Sequence, residues 1–524
     1  MSKGKTSVYT LVLILGLSAA SSALGATYQY KENIWIHSPD GTAISACSFI
    51  PKDDTKRYPA IVMANSWSLE KHEYFVQARD FAKEGYVILS YTTRGFGISG
   101  GLVNGAGPKD MEDLHAIIDW LLQNTPADPE NIGIMGISLG GGISLLGLAQ
   151  EPRIKTAVSM SGWGDMCKSL FGGDTPSGYW GGLLNLAGFL MGRLDPEVPQ
   201  MYERIMHHKE LDEVYRWCTE RSVVNLVGQI NQRKAPVYIS QNFGDDLFWP
   251  NTLMDLFAKL EGPKHMDINQ GLHASFEIGG LLGFPSHVWQ ETHAWMDRWL
   301  KGKKAVSGPL VTMQIKFSSE RDTYDTWGQE QLASTVYYLS PPAISASGAI
   351  GNPPSQPQSE TSISSEQDSG ATTGDPLFAT GAEAHLDIPI MVKLSQLHRE
   401  YGIVFEGAPL ANDMKLRGIS RLRVQAASSV GQALLVAYLY DVNPNGVGTL
   451  ITHGKRTVVG KAAEETTEFD IELKATAYDL DAGHRFAIVI DTSDGLYGGP
   501  TTDPYRVRFV FNAKAPSQLI LTHR

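Results

Sequence analysis

Short apolar runs alternate with helix-like segments over the first part of the chain, from about residue 27 to residue 302. Within the segment 114–121, apolar residues recur at spacings of three and four, which is typical of a helix with one buried face. This alternation predicts an α/β domain with a mainly parallel sheet covered by crossover helices. The predicted strands are residues 60–64, 87–92, 132–135, 157–160, 237–240 and 266–269.

Two changes in this pattern predict further units. Residues 163–231 are rich in aromatic and helical sequence and have no strand pattern, so we predict a helical cap inserted into the first domain. Beyond residue 302 the apolar positions follow a period of two, as in 434–440, which predicts an all-β sandwich of jelly-roll, galactose-binding-like type. Within it, residues 341–376 are so rich in Ser, Pro, Gly and Gln that we expect a long surface excursion. The predicted domains are 26–162 with 232–302 (catalytic), 163–231 (cap) and 303–524 (β-sandwich).

The first 25 residues have the pattern of a secretory signal peptide. Lys3 and Lys5 precede an apolar run over residues 8–17, and Ala23 and Gly25 stand where a cleavage site needs small residues. An amino-terminal anchor is the alternative, but this run is far shorter than the roughly 20 residues that span a bilayer. We therefore expect an exported protein, periplasmic or secreted, with no membrane span after cleavage.

Composition limits the kind of partner. The 524 residues are 42% hydrophobic and 19% charged, with a formal net charge of −12, which argues against nucleic acid because such binding needs a basic face. The three cysteines are too few for a disulfide framework and show no close pair of the zinc-binding kind. Cys167 and Cys218, both in the predicted cap, could pair after export or remain two separate thiols. We expect no metal and no organic cofactor.

The motif G-x-S-x-G occurs twice, around Ser99 and around Ser138. A nucleophilic serine in this motif needs a strand directly before it and a helix directly after it, with small residues two positions away on each side. Ser138 meets both conditions, whereas Ser99 is followed by a glycine-rich stretch that cannot sustain a helix. The same stretch also contains G-x-G-x-x-G, but without a following helix it does not indicate a dinucleotide site.

A serine hydroxyl becomes nucleophilic when a histidine accepts its proton and a carboxylate orients that histidine. Asp245 and Asp246 follow the strand 237–240, and His273 follows the strand 266–269, which is the order and the strand-end placement of an α/β-hydrolase triad. Paired aspartates are also common in solvated turns. We predict Ser138, Asp245 and His273 as the catalytic residues, with Asp245 favoured over Asp246.

The tetrahedral intermediate needs two hydrogen-bond donors for its oxyanion. The amide after the nucleophile belongs to Leu139, and the amide of Trp67 follows the first predicted parallel strand, so these two are the predicted donors. Trp163 and Trp180 of the cap are candidates for the wall of an apolar substrate pocket. They could equally serve only to pack the cap helices together.

Several segments taken together resemble the family of cocaine esterase and X-Pro dipeptidyl-peptidases. They are the R-G-x-G-x-S-x-G turn at 94–101, the serine motif at 136–141, the acid loop at 245–248 and the segment 403–410. The resemblance runs from about residue 30 to residue 515. It implies an α/β-hydrolase fold with a helical cap, a carboxyl-terminal jelly roll and serine hydrolase activity.

The chain departs from this family in two places. Esterases of the family often use a tyrosine hydroxyl as the second oxyanion donor, but Trp67 stands near that position here and the next tyrosine is Tyr74. The dipeptidyl-peptidases also need an acidic group for the free amino terminus of the substrate. The cap offers four acids, and their spacing selects none: Asp165, Asp174, Asp195 and Glu197.

These observations predict an exported serine hydrolase that cleaves a small ester or peptide substrate through an acyl-enzyme. X-Pro dipeptidyl-peptidase and acyl esterase remain open at this point, as do the natural substrate and the oligomeric state. The alternative from another class is a glycan-binding protein whose hydrolase domain is an inert scaffold.

Overall fold

The computed structural model describes residues 27–53, 55–304, 308–327, 332–342, 346–353, 358–375 and 378–524. The predicted signal peptide lies outside these ranges. Within them, no helix combines the length and the apolar composition that crossing a bilayer requires.

A ten-stranded sheet forms the centre of the first domain. Its strands are β1 (Tyr28–His37), β2 (Ala43–Pro51), β3 (Tyr58–Ala64), β4 (Val87–Tyr91), β5 (Ala127–Ile137), β6 (Ile154–Met160), β7 (Val237–Asn242), β8 (Lys264–Asn269), β9 (Val311–Gln314) and β10 (Arg321–Tyr324). The spatial order is β1-β2-β4-β3-β5-β6-β7-β8-β9-β10. Pairing is parallel from β4 through β3 to β9 and antiparallel at the two edges. Each predicted apolar run lies in one of the strands β3 to β8, apart from the last residue of the run 87–92.

Both faces of this sheet are buried, which explains why its strands are continuous apolar runs. In β3, Ala60 and Val62 pack into a core on one face, while Ile61 and Met63 pack into a core on the other. Helices cover both faces, as expected for a parallel sheet. Outside the cap they are α1 (Phe75–Lys83), α2 (Pro108–Asn124), α3 (Leu139–Gln150), α9 (Pro250–Lys259), α10 (Ser275–Leu281) and α11 (His287–Lys301).

The cap lies between β6 and β7. Residues 163–233, all of which are described, form five helices joined by loops and short 3₁₀ turns, so the last helix ends two residues past the predicted cap boundary at 231. These helices are α4 (Met166–Phe171), α5 (Gly178–Met191), α6 (Glu197–Met206), α7 (Leu211–Thr219) and α8 (Val227–Arg233). The cap is therefore helical, as its sequence predicts.

In its described residues, the second domain is all β apart from one helix, α12 (Ala379–Leu386), and short turns. Its strands are β11 (Ala333–Ser340), β12 (Gly348–Gly351), β13 (Ser359–Ser364), β14 (Met391–Lys393), β15 (Ile403–Gly407), β16 (Met414–Gly418), β17 (Arg421–Ser428), β18 (Ala433–Val442), β19 (Val447–Val458), β20 (Thr467–Glu472), β21 (Thr476–Leu480), β22 (Arg485–Asp491), β23 (Arg506–Phe511) and β24 (Gln518–His523). Apart from the parallel pair β12 and β15, the pairings are antiparallel.

The structure differs from two details of the predicted division. The first sheet continues past residue 302, because β9 pairs with β8 and β10 pairs with β9. Residues 341–376 are not wholly a surface excursion, since β12 pairs with β11 and β13 pairs with β23. A strand at the edge of a sheet needs few apolar side chains, and β13 lies at such an edge.

Buried polar contacts join the second domain to the first. Asn251 of α9 donates to the carbonyl of Leu473 over 2.9 Å and accepts the amide of Ala475 over 2.8 Å. Between cap and sandwich, the hydroxyls of Thr175 and Thr457 lie 2.9 Å apart. The all-β domain therefore packs against the carboxyl-terminal side of β7 and against the cap.

Candidate active site

Ser138 lies in a sharp turn between β5 and α3. Its backbone has φ +56° and ψ −116°, a strained conformation for a residue with a side chain. The turn forces close backbone approaches, because a Cβ at Gly140 would lie 2.0 Å from the carbonyl oxygen of Ala64 and one at Gly136 would lie 2.5 Å from the carbonyl carbon of Gly140. The glycines of the G-x-S-x-G motif are thus required by space, and the turn holds the serine at the strand end.

His273 is in hydrogen-bond contact with both of its predicted partners. Its Nε2 lies 2.9 Å from Oγ of Ser138, and its Nδ1 lies 2.8 Å from Oδ2 of Asp245. Because an ionised carboxylate can only accept, Nδ1 carries the proton and Nε2 is left to accept from the serine. The structure thus brings together the three side chains that sequence placed at the ends of β5, β7 and β8.

The two aspartates after β7 face different partners. Asp245 is fully buried, and its second oxygen, Oδ1, accepts the amides of Leu247 over 3.0 Å and Phe248 over 2.8 Å. Asp246 forms a buried ion pair with Lys474 of the second domain. The predicted choice of Asp245 over Asp246 as the partner of His273 agrees with this geometry.

The protonation of His273 is set by two opposing effects. Burial on its own lowers the pKa of an imidazole, but the charge and the hydrogen bond of Asp245 outweigh it, and Glu277 adds to them, so the pKa of His273 lies above its ordinary value. An imidazolium formed during a reaction would therefore be stabilised at this position.

The two predicted oxyanion donors both line the cavity that Ser138 faces. Leu139 opens α3, where the first backbone amides have no partner within the helix. The indole of Trp67 donates to the carbonyl of Leu184 over 2.9 Å and so connects this loop to the cap, while its backbone amide has no acceptor among the described residues. Neither backbone amide is bonded elsewhere within the described residues, and both residues line the cavity together with Ser138.

Tyr74 does not supply the tyrosine hydroxyl that esterases of the family often use. It is fully buried, and its hydroxyl donates to the carbonyl of Ala64 over 3.0 Å and accepts the amide of Ile137 over 2.9 Å. This hydroxyl joins β3 to β5 beneath the serine turn and is not directed at a substrate.

Sequence reasoning missed two carboxyls beside the site, of which Glu73 is partly buried and Glu277 fully buried. Glu73 accepts the amide of Ser66 over 2.7 Å and its hydroxyl over 2.6 Å, next to Trp67. Glu277 accepts the hydroxyl of Ser161 over 3.1 Å, and that hydroxyl also accepts the amide of Ala274, next to His273. Burial raises the pKa of each carboxyl to about 7. No local pattern in the sequence marks these acids, because their partners lie 7 and 116 positions away.

The predicted pocket residues differ in their positions. Trp163 lines the cavity beside Ser138, and its indole donates to the carbonyl of Arg221 over 2.7 Å. Trp180 is not part of the cavity wall, but its ring centre lies 6.5 Å from that of His273. Trp163 thus contributes to a pocket, and Trp180 packs beside the histidine.

Three further residues singled out by sequence are placed outside the site. Cys167 and Cys218 form a disulfide within the cap, so they are not separate thiols. Ser99, in the second G-x-S-x-G match, is fully buried, and its hydroxyl donates to the carbonyl of Thr92 over 2.6 Å and accepts the amide of Ser45 over 2.9 Å. Its role is to hold a loop, and Ser138 remains the candidate nucleophile.

The fold and the arrangement of Ser138, His273 and Asp245 are of the α/β-hydrolase class. Residues 40–275 match the family described as X-Pro dipeptidyl-peptidase (S15 family), and residues 304–520 match the X-Pro dipeptidyl-peptidase C-terminal non-catalytic domain. The chain belongs to this family, and the resemblance seen in its motifs is confirmed.

Solved structures share the whole architecture. A CocE/NonD family hydrolase from Staphylococcus aureus has a TM-score of 0.73 at 12% identity, covering 95% of this chain and 94% of that one. An alpha-amino acid ester hydrolase has a TM-score of 0.72 at 16% identity, covering 95% and 97%. An aminopeptidase from a Thaumarchaeota archaeon of marine sediment has a TM-score of 0.71 at 15% identity, covering 95% and 96%. At these identities the likeness shows the fold alone.

Curated relatives match over shorter stretches. The uncharacterized protein YcjY of Escherichia coli (strain K12) is 28% identical over 148 residues, which are 24% of this chain and 47% of that protein. An uncharacterized 31.7 kDa protein of the traX-finO intergenic region of Escherichia coli is 34% identical over 89 residues, 17% of this chain and 31% of that protein. The chain thus spans less than half the length of these relatives.

Proposed function

We propose that Ser138, His273 and Asp245 form a catalytic triad that cleaves an ester or amide bond through an acyl-enzyme. The observation that carries the proposal is the position of the His273 ring, which lies within 2.9 Å of the serine hydroxyl and 2.8 Å of the aspartate. Family membership in the X-Pro dipeptidyl-peptidases supports it. The alternative of a glycan-binding protein on an inert scaffold has no such support.

The reaction follows from these contacts. The hydroxyl oxygen of Ser138 attacks the substrate carbonyl carbon while Nε2 of His273 takes the hydroxyl proton, and Asp245 stabilises the resulting imidazolium. The imidazolium then protonates the leaving alcohol or amine as the bond to it breaks. In the second half, His273 takes a proton from the water that attacks the acyl carbon. The imidazolium returns that proton to the Ser138 oxygen as the acyl–serine bond breaks, which releases a carboxylic acid and the free serine.

The amides of Leu139 and Trp67 are the proposed donors to the oxyanion. Both are backbone groups held by the fold, Leu139 by the start of α3 and Trp67 by the loop that Glu73 fixes through Ser66. Fixed donors need no reorganisation when charge develops on the oxygen, and losing one such donor typically costs about 3 kcal/mol of transition-state stabilisation.

Export of the protein is part of the proposal. The cap contains a disulfide between Cys167 and Cys218, and disulfides persist mainly in oxidising compartments. This supports the expectation that residues 1–25 direct the chain to the periplasm or outside the cell.

Stopped-flow hydrolysis of a short-chain chromogenic aryl ester tests the proposal. We expect a burst of released alcohol close to one equivalent per enzyme when deacylation is slower than acylation. Ser138→Ala should lower kcat by at least about 10⁴-fold and retain the thermal transition of the wild type. Undiminished turnover in Ser138→Ala would contradict the triad, and folded wild-type protein without any turnover of esters or amides would favour the binding protein.

A further inference from the structure

The cavity that Ser138 faces is enclosed mainly by apolar side chains of the cap. Ser138, Leu139 and Trp67 lie at its catalytic side. The rest of its wall is dominated by large apolar residues, among them Trp163, Met166, Leu170, Met201, Ile205 and Trp217. Such a wall stabilises a bound group chiefly by removing apolar surface from water.

The wall contains no charged side chain among the described residues that line the cavity. The cap acids that the sequence offered as partners for a substrate ammonium are all engaged elsewhere. Asp165 caps α4 by accepting the amide of Lys168, and Asp174 forms an ion pair with Arg456. Asp195 pairs with Lys109, and Glu197 lies 4.0 Å from Arg221. A free ammonium in this cavity would be buried without a counter-charge, which is strongly unfavourable.

Two basic side chains lie directly behind the wall, and burial lowers the pKa of one of them, Lys455, to about 7. Nζ of Lys455, from the second domain, donates over 3.1 Å to the hydroxyl of Ser177, which lines the cavity. The guanidinium of Arg221 lies 4.0 Å from the ring centre of Trp217, so one face of that indole already holds a cation. Neither side chain is an acid, so this side of the wall supplies no counter-charge for an ammonium, whereas an uncharged group needs none.

We propose that the cavity binds an uncharged apolar acyl group, so that the natural substrate is an ester of such an acid and not an aminoacyl-proline peptide. The inference rests on the triad proposed above and adds the substrate class. Acylation of Ser138 would release the alcohol of the substrate ester. Hydrolysis of the acyl-enzyme, with water as the second substrate, would then release the apolar carboxylic acid.

The experiment compares kcat/KM for p-nitrophenyl esters of acetate, butyrate, hexanoate and octanoate with that for Ala-Pro-p-nitroanilide, with its amine free and blocked. We expect kcat/KM to rise about threefold to fourfold per added methylene while the chain still fits. The peptide should be a poor substrate in both forms. A flat or falling ester series, or faster cleavage of the free-amine peptide than of every ester, would overturn the inference.

A pair of variants locates the effect. Met201→Ala removes part of the cavity wall and should flatten the dependence on chain length. Leu186→Gln, on the exposed side of α5, is the matched control and should retain the wild-type series. An unchanged series in Met201→Ala would contradict the assignment of the acyl group to this cavity.

Labelling by a fluorophosphonate separates the two proposals. A labelled Ser138 together with a flat ester series means that the substrate class alone is wrong. Folded protein that neither labels nor turns over any ester means that the triad proposal has failed, and the acyl-site inference fails with it.

Discussion

Asp246 forms a buried ion pair with Lys474 of the second domain, while its neighbour Asp245 bonds to His273 in the first. Two adjacent aspartates thus serve different purposes, one joining the domains and the other orienting the histidine. Substitution of Asp245 should therefore affect catalysis, and substitution of Asp246 should affect stability.

Asp245→Asn should lower kcat by about 10⁴-fold, because an amide does not hold His273 in the required tautomer. Asp246→Asn should leave kcat close to the wild type and lower stability by about 3 kcal/mol, because it leaves Lys474 buried without its counter-charge. Ester turnover and thermal unfolding of both variants test this. Equal kinetic losses in the two variants would contradict the division of roles.

Gly140→Ala should abolish activity and destabilise the first domain. The new methyl group would lie 2.0 Å from the carbonyl oxygen of Ala64, and a backbone atom cannot move aside as a flexible side chain can. Gly228→Ala, where nothing lies within 4 Å of the added carbon, is the control and should fold normally. Full activity in Gly140→Ala would contradict the close approach of Gly140 to Ala64 in the serine turn.

The pH dependence of kcat/KM on an uncharged ester should reflect His273. The neutral imidazole is the active form, and its pKa is raised above the ordinary value of 6.5, so activity should fall as the pH drops through a midpoint above 6.5. Glu277→Gln removes a carboxyl that raises this pKa and should shift the midpoint to lower pH. The carboxylate of Glu84 pairs with His293 instead, so Glu84→Gln should leave the midpoint unchanged. A midpoint below 6.5 in the wild type would contradict this account of the site.

The disulfide should stabilise the cap. It joins residues 51 positions apart, and closing such a loop in the unfolded chain contributes about 2 to 4 kcal/mol. A reductant should therefore lower the apparent Tm of the wild type and of Cys47→Ala, which removes the free cysteine. It should have no effect on the double variant Cys167→Ser, Cys218→Ser. A wild-type Tm that is insensitive to reductant, with reduction verified by thiol titration, would refute this.

The positions of the strand ends explain why the three candidate catalytic residues could be predicted from the sequence. In a parallel sheet the carboxyl ends of neighbouring strands meet at one edge, so order and strand-end placement were enough to select Ser138, Asp245 and His273. The strands β3 to β8 could be predicted for a different reason. Both faces of that sheet are buried, so each strand is a continuous apolar run.

What could not be predicted depends on contacts between distant residues. Glu73, which is partly buried, and Glu277, which is fully buried, have partners that are fixed only by the folded backbone. The ion pair from Asp246 spans 228 positions, and β13 is an edge strand of polar residues that no periodicity distinguishes from a loop. The cavity wall likewise depends on the fold: its described residues include no acid, because the cap acids bond to partners elsewhere.

The most direct test of the central claim is mass spectrometry of the folded protein after reaction with a fluorophosphonate. The account predicts one adduct, located on the peptide that contains Ser138 and absent in Ser138→Ala. An adduct on Ser99 or another serine, with Ser138 unmodified, would contradict it.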